Sequence, residues 1–275
     1  MTNYALVTSG NDFFSSQKAS YRDMVANLIL SSWRHGKYKW YAVLDFPIGI
    51  GENFIQMPKE EELLWQSQDK RRYWAKFACV ERAMRMGNED YIIFVDADCE
   101  FQGAPAFDKL FDKKAFAFVE GDLVANNVHW SWKPAELMHH MKSAGLKRDN
   151  FYNLNGGCFG VRRDGLEEFL GHYRTLVETQ KKLNLSIGLS EEPYLAFAIH
   201  MMIPDLEPLM AERNLDVFMY AEGYPRPNRY RNWCTKKVTP IPREMKIGII
   251  HYPDRDKTLA ENGRTMMHAL GKGPS

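Results

Sequence analysis

YIIFVDADCEF, residues 91–101, is the stretch from which the rest of the chain can be read. Residues 91–95 are apolar without a break, as expected of a central parallel strand covered on both faces. The run stops at Asp96. Asp96 and Asp98 are two apart, so in an extended segment both carboxylates project to one side while small Ala97 turns away. Carboxylates grouped at the end of a buried strand repel one another and lose hydration, and a divalent cation relieves both penalties. The competing reading is that they cap the next turn or pair with Lys109.

Working outward, residues 4–8 form a short apolar run followed by Ser9, Gly10, Asn11 and Asp12, a strand leading into a loop. Over residues 19–33, Tyr21, Met24, Val25, Leu28, Ile29 and Trp33 recur at three and four, the period of a one-sided helix. An apolar run at 40–46 closes at Pro47, and residues 60–68 predict a short helix. Residues 73–86 predict another, with Phe77, Val80, Ala83 and Met84 on one face and Gly87 at its C-terminal cap. Beyond the central strand, further strands are expected at 115–119, 157–161, 216–220 and 246–251, and helices at 134–144, 165–183 and 192–201. This alternation defines an α/β protein: a single domain over 1–253 with a mixed, mostly parallel central sheet flanked by helices, then a polar, partly loose tail at 254–275. Ligands bind past the carboxyl ends of such strands, which singles out residues 9–12, 96–98, 153–157 and 251.

The bulk numbers narrow the class. With 45% hydrophobic and 26% charged residues the chain is globular rather than disordered or fibrous. Thirty-six basic side chains against 35 acidic ones leave no global field to steer it to nucleic acid or an anionic membrane. MTNYALVTSG has neither a basic n-region nor an apolar h-region, and no run approaches the roughly 18 apolar residues of a membrane span. A cytoplasmic location is therefore expected. Cys79, Cys99, Cys158 and Cys234 are scattered without a CxxC pair and read as reduced thiols.

Other polar residues carry a functional and a structural reading side by side. His251 closes KIGIIH; it is either a satisfied core residue or an imidazole ligand that favours Mn²⁺ beside two carboxylates while still admitting Mg²⁺. Lys257 is a solvated lysine or a counter-charge to phosphate. Asn155, Gly156 and Gly157 make either a turn before a strand or a place where backbone approaches a ligand closely. Glu191 and Glu192 stand before Pro193, where acidic residues favour a helix start; at a reacting centre they would serve as nucleophile or base. NNVHWSW, residues 126–132, and YPRPNRYRNW, residues 224–233, are loop packing or aromatic platforms for an acceptor. Arg226, Arg229 and Arg231, with Lys236 and Lys237, also admit a nucleic-acid acceptor.

The block YWAKFACVERAMRMGNEDYIIFVDADCEF resembles the helix, strand and DxD unit of GT-A (Rossmann-like) nucleotide-sugar glycosyltransferases, in particular the retaining family of glycogenin and the lipopolysaccharide galactosyltransferases. NLNGGCFGVRR is similar to that family's Asn-x-Gly strand, and IIHYPDRDK to its His and Lys at the same spacing. SEEPYLAFAIH resembles the acidic pair opening a helix in several GT-A families. Asp254, Thr258 and Leu259 replace the glycine and Pro-Trp that usually surround the lysine.

The resemblance implies a transferase that moves a sugar from a nucleoside diphosphate sugar, UDP-linked, to a hydroxyl acceptor, with retention favoured. It implies Mn²⁺ or Mg²⁺ on Asp96, Asp98 and His251, and a donor contacted by Thr8, Ser9, Asn11, Lys76, Asp96, Ala97, Asn155, Gly156, Gly157 and Lys257. Glu191 or Glu192 would be the catalytic carboxylate. Two rivals stay open: a nucleotidyltransferase, which would release pyrophosphate, and a carbohydrate-binding or scaffolding protein that keeps the fold without catalysis.

Overall fold

Alternation along one strand sets the layers. In β1 (Tyr4–Gly10) Ala5 and Val7 enter one buried cluster and Leu6 enters the other. β4 (Tyr91–Val95) divides in the same way, Ile92 and Phe94 on one side against Tyr91, Ile93 and Val95 on the other. Both faces are therefore core, which is why this run shows no polar alternation. The computed structural model describes residues 2–10, 20–44, 48–50, 54–57, 75–123, 134–149, 151–183, 191–203, 209, 214–222, 229–231, 238–241, 244–252 and 256–270. Residues 60–68 and 126–132, and all of 224–233 but β9 below, lie outside them.

With β2 (Trp40–Leu44) and β3 (Phe54–Met57), β1 and β4 make a parallel array. β7 (Tyr152–Arg162) joins β4 antiparallel, and β6 (Ala115–Leu123) joins β7, giving the order β3-β2-β1-β4-β7-β6. One face is covered by α2 (Ala75–Met86), α3 (Pro134–Ser143), α4 (Leu166–Leu183) and α5 (Glu192–Met202). The other is covered by α1 (Tyr21–Trp33), started by a Ser20 side-chain cap on Asp23 N, and by a second sheet.

Two strands of that second sheet fall in the runs expected at 216–220 and 246–251; its other three strands were not legible in the sequence. It contains β8 (Phe218–Glu222), β9 (Arg229–Arg231), β10 (Val238–Pro240), β11 (Ile249–His251) and β5 (Cys99–Phe101), in the order β10-β9-β8-β11-β5. Four of its strands have three residues, too short to show a period. Polar pins attach it to α1: Ser31 Oγ accepts from Phe101 N at 3.1 Å.

The segment expected to be a polar tail holds a further helix, α6 (Asp256–Ala269), packed against α1. Leu259, Ala260 and Met267 are buried at that contact, and Arg264 pairs with Asp23 at 2.9 Å. The interrupted apolar spacing around Asn262 and Gly263 hid the helix; the glycine is what lets the two helices touch. Among the described residues no helix is long and apolar enough to cross a membrane.

Gly263 and Gly171 should answer oppositely to alanine. Glycine in a helix interior is worse than alanine by about 0.5–1 kcal/mol, so Gly171→Ala, with nothing among the described residues within 4 Å of the added Cβ, should stabilise by that amount. At Gly263 the Cβ would lie 1.8 Å from the Asp23 carbonyl oxygen, so Gly263→Ala should destabilise by about 1–3 kcal/mol in urea unfolding. Equal responses would show that α6 does not dock as described. A second expectation concerns acid. Burial, aided by the positive potential of His139 and Arg148 respectively, lowers His140 and His200 from 6.5 to about 4. The folded chain keeps them neutral while the unfolded chain takes up protons, so unfolding free energy should fall between pH 6.5 and about pH 4. Replacing both with Gln should flatten that slope.

Candidate active site

At the carboxyl edge of β4 the chain turns instead of remaining extended: Cys99 N donates to Asp96 O at 3.1 Å, closing a tight turn over Ala97 and Asp98. The two carboxylates consequently have different partners. Lys76 Nζ, from the first turn of α2, reaches Asp96 Oδ2 at 2.8 Å. His251 Nε2, at the end of β11, meets Asp98 Oδ2 at 3.0 Å. Lys109 pairs with Asp216 instead.

β7 brings the second group. From Ala117↔Phe159 to Val119↔Leu154, β6 advances two residues while β7 advances five, so three extra residues, Asn155, Gly156 and Gly157, leave the ladder. Such a bulge re-aims side chains and often borders a site. Because β7 runs antiparallel to β4, this early part of β7 lies beside the end of β4, and Asp96 N donates to Gly157 O at 2.9 Å. The sequence places these residues before a strand; the structure places them within one. Asn155 Oδ1 accepts from Gly157 N at 2.7 Å, while its Nδ2 donates to Glu192 Oε1 at 3.3 Å, as does Gly156 N at the same distance.

Glu191 occupies the N-cap of α5 but makes no side-chain cap bond. Its carboxylate turns to Lys76 Nζ, 2.5 Å away. Lys76 also donates to Gly156 O at 3.2 Å, so one ammonium links α2, the β4 turn, the β7 bulge and the head of α5. Glycine is required at 156: a Cβ there would sit 2.4 Å from Glu191 Oε1. At Gly157 a Cβ would fall 2.8 Å from Asn155 Oδ1 and 2.9 Å from His251 Nδ1.

Among the described residues, four carboxyl groups thus share two basic groups. Burial raises Asp96 to about 6 against the pull of Lys76, with Asp98 adding to the rise. Burial also raises Glu192 to about 7, helped by the neighbouring charge of Glu191. Asp98 resists the same burial because His251 draws it below the usual carboxylate range, and Asp98 in turn lifts the buried imidazole. Acidic groups in excess at a buried edge fit a divalent cation.

The expected ligand set is partly regrouped. Asp98, His251 and Cys99 place their donor atoms within 4.8 Å of one another, whereas Asp96 is held by Lys76. Cys99, expected as a reduced thiol, is a buried free thiol directly after the DxD triplet. Thr8 is fully buried near the end of β1 and its Oγ1 has no hydrogen-bond partner among the described residues; Ser9 beside it is half-buried, and Ala97 is buried in the turn. Asn11 lies outside the described residues. Lys257 is the second residue of α6, with its side chain outside them.

No protein-family model and no curated protein matches the chain. A crystal structure of the galactosyltransferase LgtC in complex with donor and acceptor sugar analogs does match, with a TM-score of 0.57, 13% identity and 98% of each chain covered. The likeness is one of fold: a mixed α/β single domain of the GT-A type.

Removing the shared ammonium should be severe. Lys76→Met leaves Asp96 and Glu191 buried without their counter-charge, and breaking a buried pair in this way costs about 3–5 kcal/mol. A Lys76→Met protein with an unchanged urea midpoint would show that the bridge does not hold the site together.

Proposed function

We propose that this chain is a metal-dependent glycosyltransferase that moves a sugar from a nucleoside diphosphate sugar, UDP-linked, to a hydroxyl acceptor with retention at the anomeric carbon. The observation that carries this reading is the acidic, glycine-lined edge formed by the DxD turn, His251 and the Asn155–Gly157 bulge, at the ends of parallel strands in a fold shared with a galactosyltransferase. A divalent cation held by Asp98 and His251 beside Asp96 would offset the charge that develops on the departing diphosphate.

The chain's own residues divide the remaining work. Gly156 and Gly157 allow backbone to approach the donor, and Asn155, oriented by Gly157 N, presents a fixed amide to the sugar. Lys76 and Glu191 buttress that wall from behind. Glu192 touches Asn155 and has an affinity for protons matched to neutral pH, so it can hold or release one at the reacting face. Thr8 and Ser9, ending β1, and Lys257, opening α6, are assigned to the nucleotide and its phosphates.

The test is a panel of nucleotide sugars with and without Mn²⁺. Free nucleoside diphosphate in the metal-containing samples supports sugar transfer, whereas pyrophosphate would sink it in favour of nucleotidyl transfer. Asp98→Asn should lower turnover at least about 100-fold, as expected for a group acting on transition-state charge. The pH profile of the intact enzyme should bend near 7, where Glu192 titrates, and Glu192→Gln should abolish that bend. Proton NMR of the product's anomeric centre reports retention directly; an inverted product would overturn that part of the reading.

A further inference from the structure

We propose that Asp98, Cys99 and His251 form a site for a thiophilic divalent cation of the Zn²⁺ or Cd²⁺ kind, in which the Cys99 thiolate takes the place expected of Asp96. The three donor atoms lie within 4.8 Å of one another, and Asp98 Oδ2 and His251 Nε2 are 3.0 Å apart. Zinc–oxygen and zinc–nitrogen bonds of about 2.0–2.2 Å around a tetrahedral ion put neighbouring donors roughly 3.4 Å apart, so this pair needs almost no movement.

The site is built into the sheets. Cys99 and His251 are direct partners on antiparallel β5 and β11, which keeps their Cβ atoms on neighbouring positions. Cys99 is fully buried and His251 is 7% exposed. Tyr252 N donates to the Asp98 carbonyl at 2.9 Å and fixes the residue between them. Asp96 is withdrawn by Lys76. Carboxylate and imidazole serve Mn²⁺ and Zn²⁺ alike, but a thiolate selects the softer ion, and Zn²⁺ already stands above Mn²⁺ in intrinsic affinity. Binding displaces the thiol proton and the proton between His251 and Asp98 to solvent.

Asp98 and His251 also serve the cation of the proposed transferase, so Zn²⁺ would exclude Mn²⁺ and silence the enzyme. This consequence rests on the functional reading above; the binding does not.

Co²⁺ substituted for Zn²⁺ reports thiolate ligation through a near-ultraviolet charge-transfer band. The whole chain titrated with Co²⁺ should develop that band and lose it when Zn²⁺ is added. Cys158→Ser should keep it, while Cys99→Ser and His251→Gln should lack it. No band in the unaltered protein at saturating Co²⁺ overturns the proposal, and that measurement decides the matter even where Cys99→Ser fails to fold. A band that survives Cys99→Ser overturns it equally. Free Mn²⁺ followed by electron paramagnetic resonance gives the preference between ions. Loss of even an outer partner weakens metal sites by roughly 10- to 100-fold, so Cys99→Ser should reduce the Zn²⁺-over-Mn²⁺ preference by at least tenfold; an unchanged preference counts against the site. A band without sugar transfer from any donor refutes the transferase reading alone, and Mn²⁺-dependent transfer without a band refutes this site alone.

Discussion

The ammonium of Lys76 is the point on which the site depends. It is buried between Asp96 and Glu191 and also bonds the Gly156 carbonyl, so its position is fixed by three backbone segments that are remote in sequence. Burial opposes the charge of a lone lysine, but here the two carboxylates outweigh that opposition and hold the proton firmly. Glu191, freed from capping α5, becomes the far anchor of this bridge. The same contact draws Asp96 toward α2 and away from His251, which is why the two aspartates of one triplet have separate partners.

Two kinds of order therefore meet at this edge. One is rigid and already satisfied: Lys76, Glu191, Asn155 and the two glycines interlock at distances that leave no room for a Cβ. The other, among the described residues, is short of positive charge, with Asp96 and Glu192 both holding protons more tightly than ordinary carboxyls. A scaffold that is fixed in shape yet carries surplus carboxyl groups is suited to a cation, because little reorganisation is needed when the ion arrives.

Much of this was visible in the sequence, and the omissions have physical causes. Unbroken apolar runs identified β1, β2 and β4, and three- and four-residue spacing identified α1 and α2. Asp96, Asp98, Asn155 and His251 stood out as polar residues beside apolar runs, and Glu191 as one of an acidic pair before Pro193. The role of Lys76 did not, since a lysine in the first turn of a helix is usually solvated and only tertiary packing reveals burial. The β7 bulge was hidden because NLNGG reads locally as a turn, and its register is set by β6 and β4. β5 was missed because it is held by pairing with the distant β11, and no window of a few residues contains both.

That last pairing has a kinetic consequence. Cys99 and His251 are 152 positions apart, by subtraction of the paired residues, so the ladder that joins them closes a very long loop. Contacts of such separation form late, after local helices and the parallel core have repaid part of the chain entropy. A cation seated on Asp98 and His251 would then bind a geometry absent from the folding transition state. It would slow unfolding while leaving the rate of folding nearly untouched, giving the metal the character of a latch rather than a nucleus.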